Sequence, residues 1–170
     1  MTEIDKRWHL SEEPVEAEIA DFELQLWRVF YGFIGWQEEC EKTVNNTDLT
    51  GNELAILHVI RLKDRPKTIS DISRILNRND TFNIHYSIRK LIKKKLVQKT
   101  VGGKAYEMTP EGIENTSAYA RMRKNTLIKL YLNSQDLQLT DMAAKLAKLK
   151  SIYDDASQLV AISTSLDSKK

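Results

Sequence analysis

Residues 68–108 read TISDISRILNRNDTFNIHYSIRKLIKKKLVQKTVGGKAYEM. The spacing of apolar residues in this stretch predicts a short helix from Ile69 to Leu76, a four-residue turn Asn77-Arg78-Asn79-Asp80, and a longer helix from Thr81 to Lys94. Thr68 with Asp71 three residues on is a start signal for the first helix, and Asp80 is placed to cap the second. After Leu96 the period drops to two: Val97, Lys99 and Val101 alternate with Gln98 and Thr100. Gly102-Gly103 then supplies the positive φ of a tight hairpin turn, and Lys104 to Met108 forms the return strand. A helix-turn-helix followed by a β-hairpin wing is the fold this order predicts.

The second of these helices is amphipathic in an unusual sense. Ile84, Ile88, Leu91 and Ile92 fall on one side, leaving Asn83, His85, Tyr86, Arg89, Lys90 and Lys93 on the other. Between Arg78 and Lys104 there are eight Lys/Arg against the single acid Asp80, a surplus of seven in a chain whose net charge is only +2. Positive charge is therefore concentrated on one short segment, as contact with a polyanion requires.

Flanking this stretch are longer helices. Apolar residues from Val15 to about Val44 trace two faces of one helix, with Ile19, Phe22, Leu26, Val29, Phe33 and Cys40 on one and Leu24, Trp27, Tyr31 and Ile34 on the other. Thr50 and Glu53 form a capping box for a helix carrying Leu54, Leu57 and Ile60, which ends before Arg65-Pro66. Thr109-Pro110-Glu111 opens a helix to about Leu132. Beyond Asn133-Ser134, the residues Leu139, Met142, Leu146, Leu149, Tyr153, Ala156 and Val160 keep a 3,4 heptad spacing, the pattern of an interhelical seam or of a helix lying on its own core.

Composition limits the alternatives. At 170 residues the chain is long enough for one full core and short for two. Hydrophobic and charged fractions of 41% and 29% are those of a soluble globular protein, and neither a secretion signal nor a run of roughly 20 apolar residues is present, so a cytoplasmic location is expected. The single cysteine, Cys40, excludes an internal disulfide and reads as packing rather than as a sensor. His9, His58 and His85 have no metal-like spacing, and no phosphate loop, nucleophile elbow or carboxylate pair stands out, so neither a metal, a cofactor nor an enzymatic activity is expected. Residues 1–23 hold eight acids against two bases; we expect an acidic N-terminal arm over 1–18 and a flexible tail over 161–170.

The arrangement resembles the MarR-type (multiple antibiotic resistance regulator) winged-helix transcription factors. The resemblance runs from about Ile19 to Val160 and rests on the order long helix, capped helix (Leu49-Thr50, then Glu53-Leu54-Ala55-Ile56-Leu57), helix-turn-helix, wing and two long helices. Its most specific stretch is Ile84 to Val97, ending Leu91-Ile92-Lys93-Lys94-Lys95-Leu96-Val97, with Met108-Thr109-Pro110-Glu111-Gly112 after the wing. The chain departs from the family in having Lys95 where a glycine usually precedes Leu-Val, and in lacking the wing's Asp-x-Arg, for which Lys104 is the nearest substitute.

What the resemblance implies is a mainly α fold with a small β-wing: one domain over 19–160, a DNA-binding lobe over 49–108, and dimerisation helices over 19–44 and 109–160. It implies a homodimeric, sequence-specific regulator binding double-stranded DNA through Thr81, Asn83, His85, Tyr86, Arg89, Lys90, Lys93, Lys94, Lys99 and Lys104. Lysines would hold phosphates, and Arg89 and Asn83 would read guanine and adenine. Phe22, Leu26, Leu139, Met142, Leu146, Leu149 and Tyr153 are the expected dimer contacts. Trp27, Tyr31 and Trp36 are a candidate pocket for a small aromatic or apolar effector, though an aromatic cluster at helical spacing is more often core and dimer packing. The competing reading is a winged-helix module that holds a protein partner and no DNA.

Overall fold

The computed structural model describes residues 9–10, 12–134 and 137–167. Glu3, Asp5, Lys6 and Arg7 of the expected acidic arm, and residues 168–170 of the expected tail, lie outside the described residues. The chain forms two compact units divided between Asn125 and Thr126.

In the first unit α1 spans Pro14–Asn45, α2 Gly51–Arg61, α3 Ile69–Leu76 and α4 Thr81–Lys93; β1 covers Val97–Lys99, β2 Tyr106–Met108 and α5 Pro110–Arg123. Each start follows from a local signal. Glu53 accepts the Thr50 N–H at 2.9 Å at the head of α2, and Thr68 and Asp71 exchange hydrogen bonds of 3.0 and 3.1 Å at the head of α3. Pro110 occupies the first turn of α5, where a missing N–H costs nothing, and the Thr109 hydroxyl accepts from Gly112 N–H. Asn46 and Asn77 end α1 and α3 in the left-handed conformation that asparagine tolerates.

One core joins α2, α3, α4 and the wing. Leu54, Ile56, Leu57, Ile72, Ile84 and Leu91 are completely buried in it, and Ile88 and Val97 are nearly so. The apolar side of α4 is thus the side the sequence predicts. Strands β1 and β2 pair antiparallel with Val97 opposite Met108 and Lys99 opposite Tyr106, and Lys67, before α3, bridges to Tyr106 as a third contact. The wing strands are shorter than their alternation predicts. The chain turns already at Thr100, whose N–H donates to Ala105 at 2.9 Å, and Val101 is left fully exposed at the tip. Of the two glycines only Gly103 takes positive φ, 68°.

After α5 the helical backbone continues through a π-helical turn, Lys124–Ile128, into α6, Lys129–Asn133. The second unit also contains α7, Leu139–Asp167, which reaches seven residues beyond Val160 into the segment expected as a tail.

Candidate nucleic-acid interface

Burial of Ile84, Ser87, Ile88 and Leu91 fixes the rotation of α4. Thr81, Asn83, His85, Tyr86, Arg89 and Lys93 consequently stand exposed, with Lys90 half-buried at their edge. The structure brings these expected site residues onto one side of one helix. Lys99 at the end of β1 and Lys104 in the wing turn are exposed as well.

Their electrostatic states differ. Among the described residues Arg89, Lys93, Lys99 and Lys104 enter no ion pair, so their full charge faces solvent. Lys90 is pinned: its Nζ lies 2.6 Å from the carboxylate of Glu53, which is buried, and this hydrogen bond raises the Lys90 pKa. Lys94 lies 2.5 Å from exposed Asp48 and lowers that carboxyl's pKa. Both acids belong to α2 or the segment before it, so these pairs tie α4 to α2 and leave Lys90 and Lys94 less charge to offer a phosphate. Sequence spacing could not show this, because the partners lie 37 and 46 residues away.

Asp80 also differs from expectation. It occupies the N-cap position of α4, but its side chain makes no capping hydrogen bond. Arg78 instead holds it through two contacts of 2.8 and 2.5 Å, and Asn83 donates to it at 3.1 Å. The guanidinium keeps the Asp80 carboxyl far below the usual carboxylate range. A charge-assisted fork outcompetes a neutral backbone N–H. One N–H of the Asn83 amide is therefore occupied by Asp80, leaving its second N–H and its Oδ1 for a base edge.

At the far end of α4 the chain reverses through a Schellman motif. Leu96 N–H donates to Leu91 C=O at 3.0 Å and Lys95 N–H to Ile92 C=O at 2.9 Å. Lys95 itself takes φ 60°, so the exit uses the left-handed conformation despite the absence of glycine. The Thr109 hydroxyl donates to Lys95 C=O at 2.5 Å while accepting from Gly112 N–H at 3.0 Å, which binds the exit of α4 to the first turn of α5. Gly112 has no alternative there: a Cβ would lie 2.0 Å from the Leu96 carbonyl oxygen.

Of the aromatic residues expected at an effector pocket, Trp27 and Tyr31 lie one turn apart on α1 and Trp36 lies on another side of it. Trp27 and Tyr31 stand exposed on α1, and Trp36 packs edge-on against Tyr119 of α5 with centroids 5.7 Å apart. A groove of about 620 Å³ in the first unit is lined by Phe33, Gln37, His58, Arg61, Tyr119 and Arg123, together with the 62–64 turn and residues of α5. Its rim carries Arg61, which is paired with Asp64, together with Lys63 and Arg123. His58 packs against Tyr119 with ring centroids 4.6 Å apart and planes tilted by 50°, and among the described residues its buried Nε2 has no hydrogen-bond partner; burial lowers its pKa. These groove residues were missed because nothing in the sequence brings positions 61 and 123 together.

Cys40 is buried and burial pushes its thiol pKa up, the opposite of an activated thiolate. Of the expected dimer contacts, Phe22, Leu139, Met142, Leu146 and Tyr153 are exposed in the single chain, and Leu26 and Leu149 are intermediate. Among the described residues no helix is long and apolar enough to cross a membrane, and no group of three or more His, Cys, Asp or Glu is placed to hold a metal ion.

Residues 49–112 match the family model of a winged helix DNA-binding domain. No curated protein matches the chain. Among solved structures it is similar to a MarR family regulator from Neisseria meningitidis, with 14% identity over 83% of this chain and 96% of that one and a TM-score of 0.66. It is similar also to a MarR/EmrR family transcriptional regulator from Acinetobacter sp. ADP1 (16% identity, 80% and 96% covered, TM-score 0.66) and to a MarR family transcriptional regulator from Silicibacter pomeroyi (16%, 85% and 99%, TM-score 0.61). At these identities the likeness is one of fold.

Proposed function

We propose that this chain, which carries a winged helix DNA-binding domain within the fold of MarR-type regulators, is a transcription regulator that binds double-stranded DNA as a homodimer. The observation that carries the proposal is the positive face of α4, where Arg89 and Lys93, in no ion pair among the described residues, stand beside exposed His85 and Tyr86 on a helix whose opposite side is locked into the core. A helix held this way can enter a major groove without repacking. Lys93, Lys99 and Lys104 would neutralise phosphates, and Arg89 would supply the fork that matches guanine. Lys90 and Lys94 become secondary contributors, since Glu53 and Asp48 already hold them.

Support for the homodimer comes from exposed apolar helices. On α1, Phe22, Trp27, Val29, Phe30 and Tyr31 are 44% to 69% exposed, and on α7 Leu139, Leu146 and Val160 are 51% to 65% exposed. Apolar stripes of this length are costly in water and are ordinarily covered by a second chain. A small aromatic or apolar effector would occupy the groove between α1, α2 and α5, where Phe33 and Tyr119 offer ring surface.

The test is selection of bound duplexes from a random library. A recovered site with two related half-sites one helical turn apart is the expected result. Recovery of no preferred sequence by protein that binds DNA tightly would remove sequence-specific regulation from the account.

A further inference from the structure

Phe82 is 75% exposed, although it lies in the first turn of a helix that buries every aliphatic residue it can. Its position is not incidental to the face described above. Phe82, Tyr86, Arg89 and Lys93 follow one another at spacings of four, three and four, so they form a single stripe along the solvent side of α4. The opposite stripe is fully buried. Phe82 is thus the N-terminal member of the row that contains the guanine-reading candidate. In helix-turn-helix domains the N-terminal residues of the recognition helix lie against base edges.

A phenyl ring can neither donate nor accept a conventional hydrogen bond. On the major-groove edge of a base pair the one apolar group is the C5 methyl of thymine. Resting on the DNA-binding reading above, we propose that Phe82 is a specificity-determining residue that packs on a thymine methyl. It would select thymine at one position of each half-site, in the way that Arg89 would select guanine at another. The ring also gains by the contact: an exposed phenyl surface that is unfavourable in water is covered only in the complex. Phe82 offers the largest wholly apolar surface on the exposed α4 face: Thr81 has a single methyl beside its hydroxyl, and Tyr86, one turn on, ends in a hydroxyl and lies 5.6 Å beneath the Lys90 ammonium.

The experiment uses the full chain and the duplex recovered by random-library selection. Each thymine in turn is replaced by uracil, which removes the methyl and leaves every hydrogen-bonding group in place. For the wild type, uracil at one position per half-site should weaken binding roughly fourfold, the worth of one buried methyl. Phe82→Ala should bind the thymine and uracil duplexes equally, and Phe82→Leu should restore part of the discrimination. Because the ring is exposed, both variants should unfold at the wild-type temperature. Wild-type indifference to every uracil, or discrimination that persists unchanged in Phe82→Ala, overturns the assignment while leaving DNA binding intact. Failure of the wild type to bind any duplex overturns the underlying reading, and this one with it.

Discussion

A lysine at φ 60° stores strain where α4 ends. The Schellman reversal requires a left-handed residue at this point, and a side chain there costs about 1 kcal/mol relative to glycine. Lys95→Gly should therefore stabilise the protein by about that amount, measured as a higher urea midpoint at unchanged slope. Gly112, on the other side of the same junction, predicts the reverse. Gly112→Ala drives a methyl into the Leu96 carbonyl and should destabilise by about 2 kcal/mol or more, since the Leu96 backbone cannot swing aside as a flexible side chain would. These two residues also mark how far sequence reading reaches. Lys95 was recognisable as a position that wants glycine, but only the backbone shows that the left-handed conformation is kept and the strain accepted.

At the scale of elements, α1, α2 and α5 meet around groups that are polar and buried. Glu41 is completely buried and accepts from Asn45, Thr47 and Asn115 at 2.9, 2.6 and 2.7 Å, and among the described residues it enters no ion pair. His58 sits in the same junction with Glu41, Arg123 and Tyr119 around it. Burial favours its neutral form, Arg123 acts in the same direction and Glu41 opposes both, the net being a lowered pKa. Its contribution to stability has a definite sign. As pH falls through 6.5 the unfolded chain takes up the proton first, so the folded state loses stability between pH 6.5 and the lower folded value. Urea titrations at pH 7.5 and 5.5 should show that loss, at most about 1.4 kcal/mol per pH unit, and His58→Gln should flatten it. An unchanged pH dependence in the variant would show that His58 titrates freely. Local signals were enough to read the helices themselves: capping boxes, Pro110 and the 84/88/91 spacing all placed elements where they lie. What joins them was not legible, because the Glu53–Lys90 and Asp48–Lys94 pairs and the Glu41–Asn115 bond connect residues tens of positions apart.

For the whole molecule, the account requires two chains. Leu146→Glu with Leu149→Glu places charge within the α7 stripe and should convert the protein to monomer, seen by sedimentation at micromolar concentration; a wild type already monomeric there contradicts the homodimer. The claim on which the rest depends is that the open face of α4 meets phosphate and bases together. It is tested most directly by titrating the wild type and Lys93→Ala on the selected duplex and on a scrambled one at several salt concentrations. The account predicts that log affinity falls linearly with log salt for both duplexes, that the selected duplex is bound more tightly throughout, and that Lys93→Ala weakens both alike while reducing the slope by about one unit. Affinity that does not change with salt, or a Lys93→Ala variant indistinguishable from wild type on both duplexes, would contradict it.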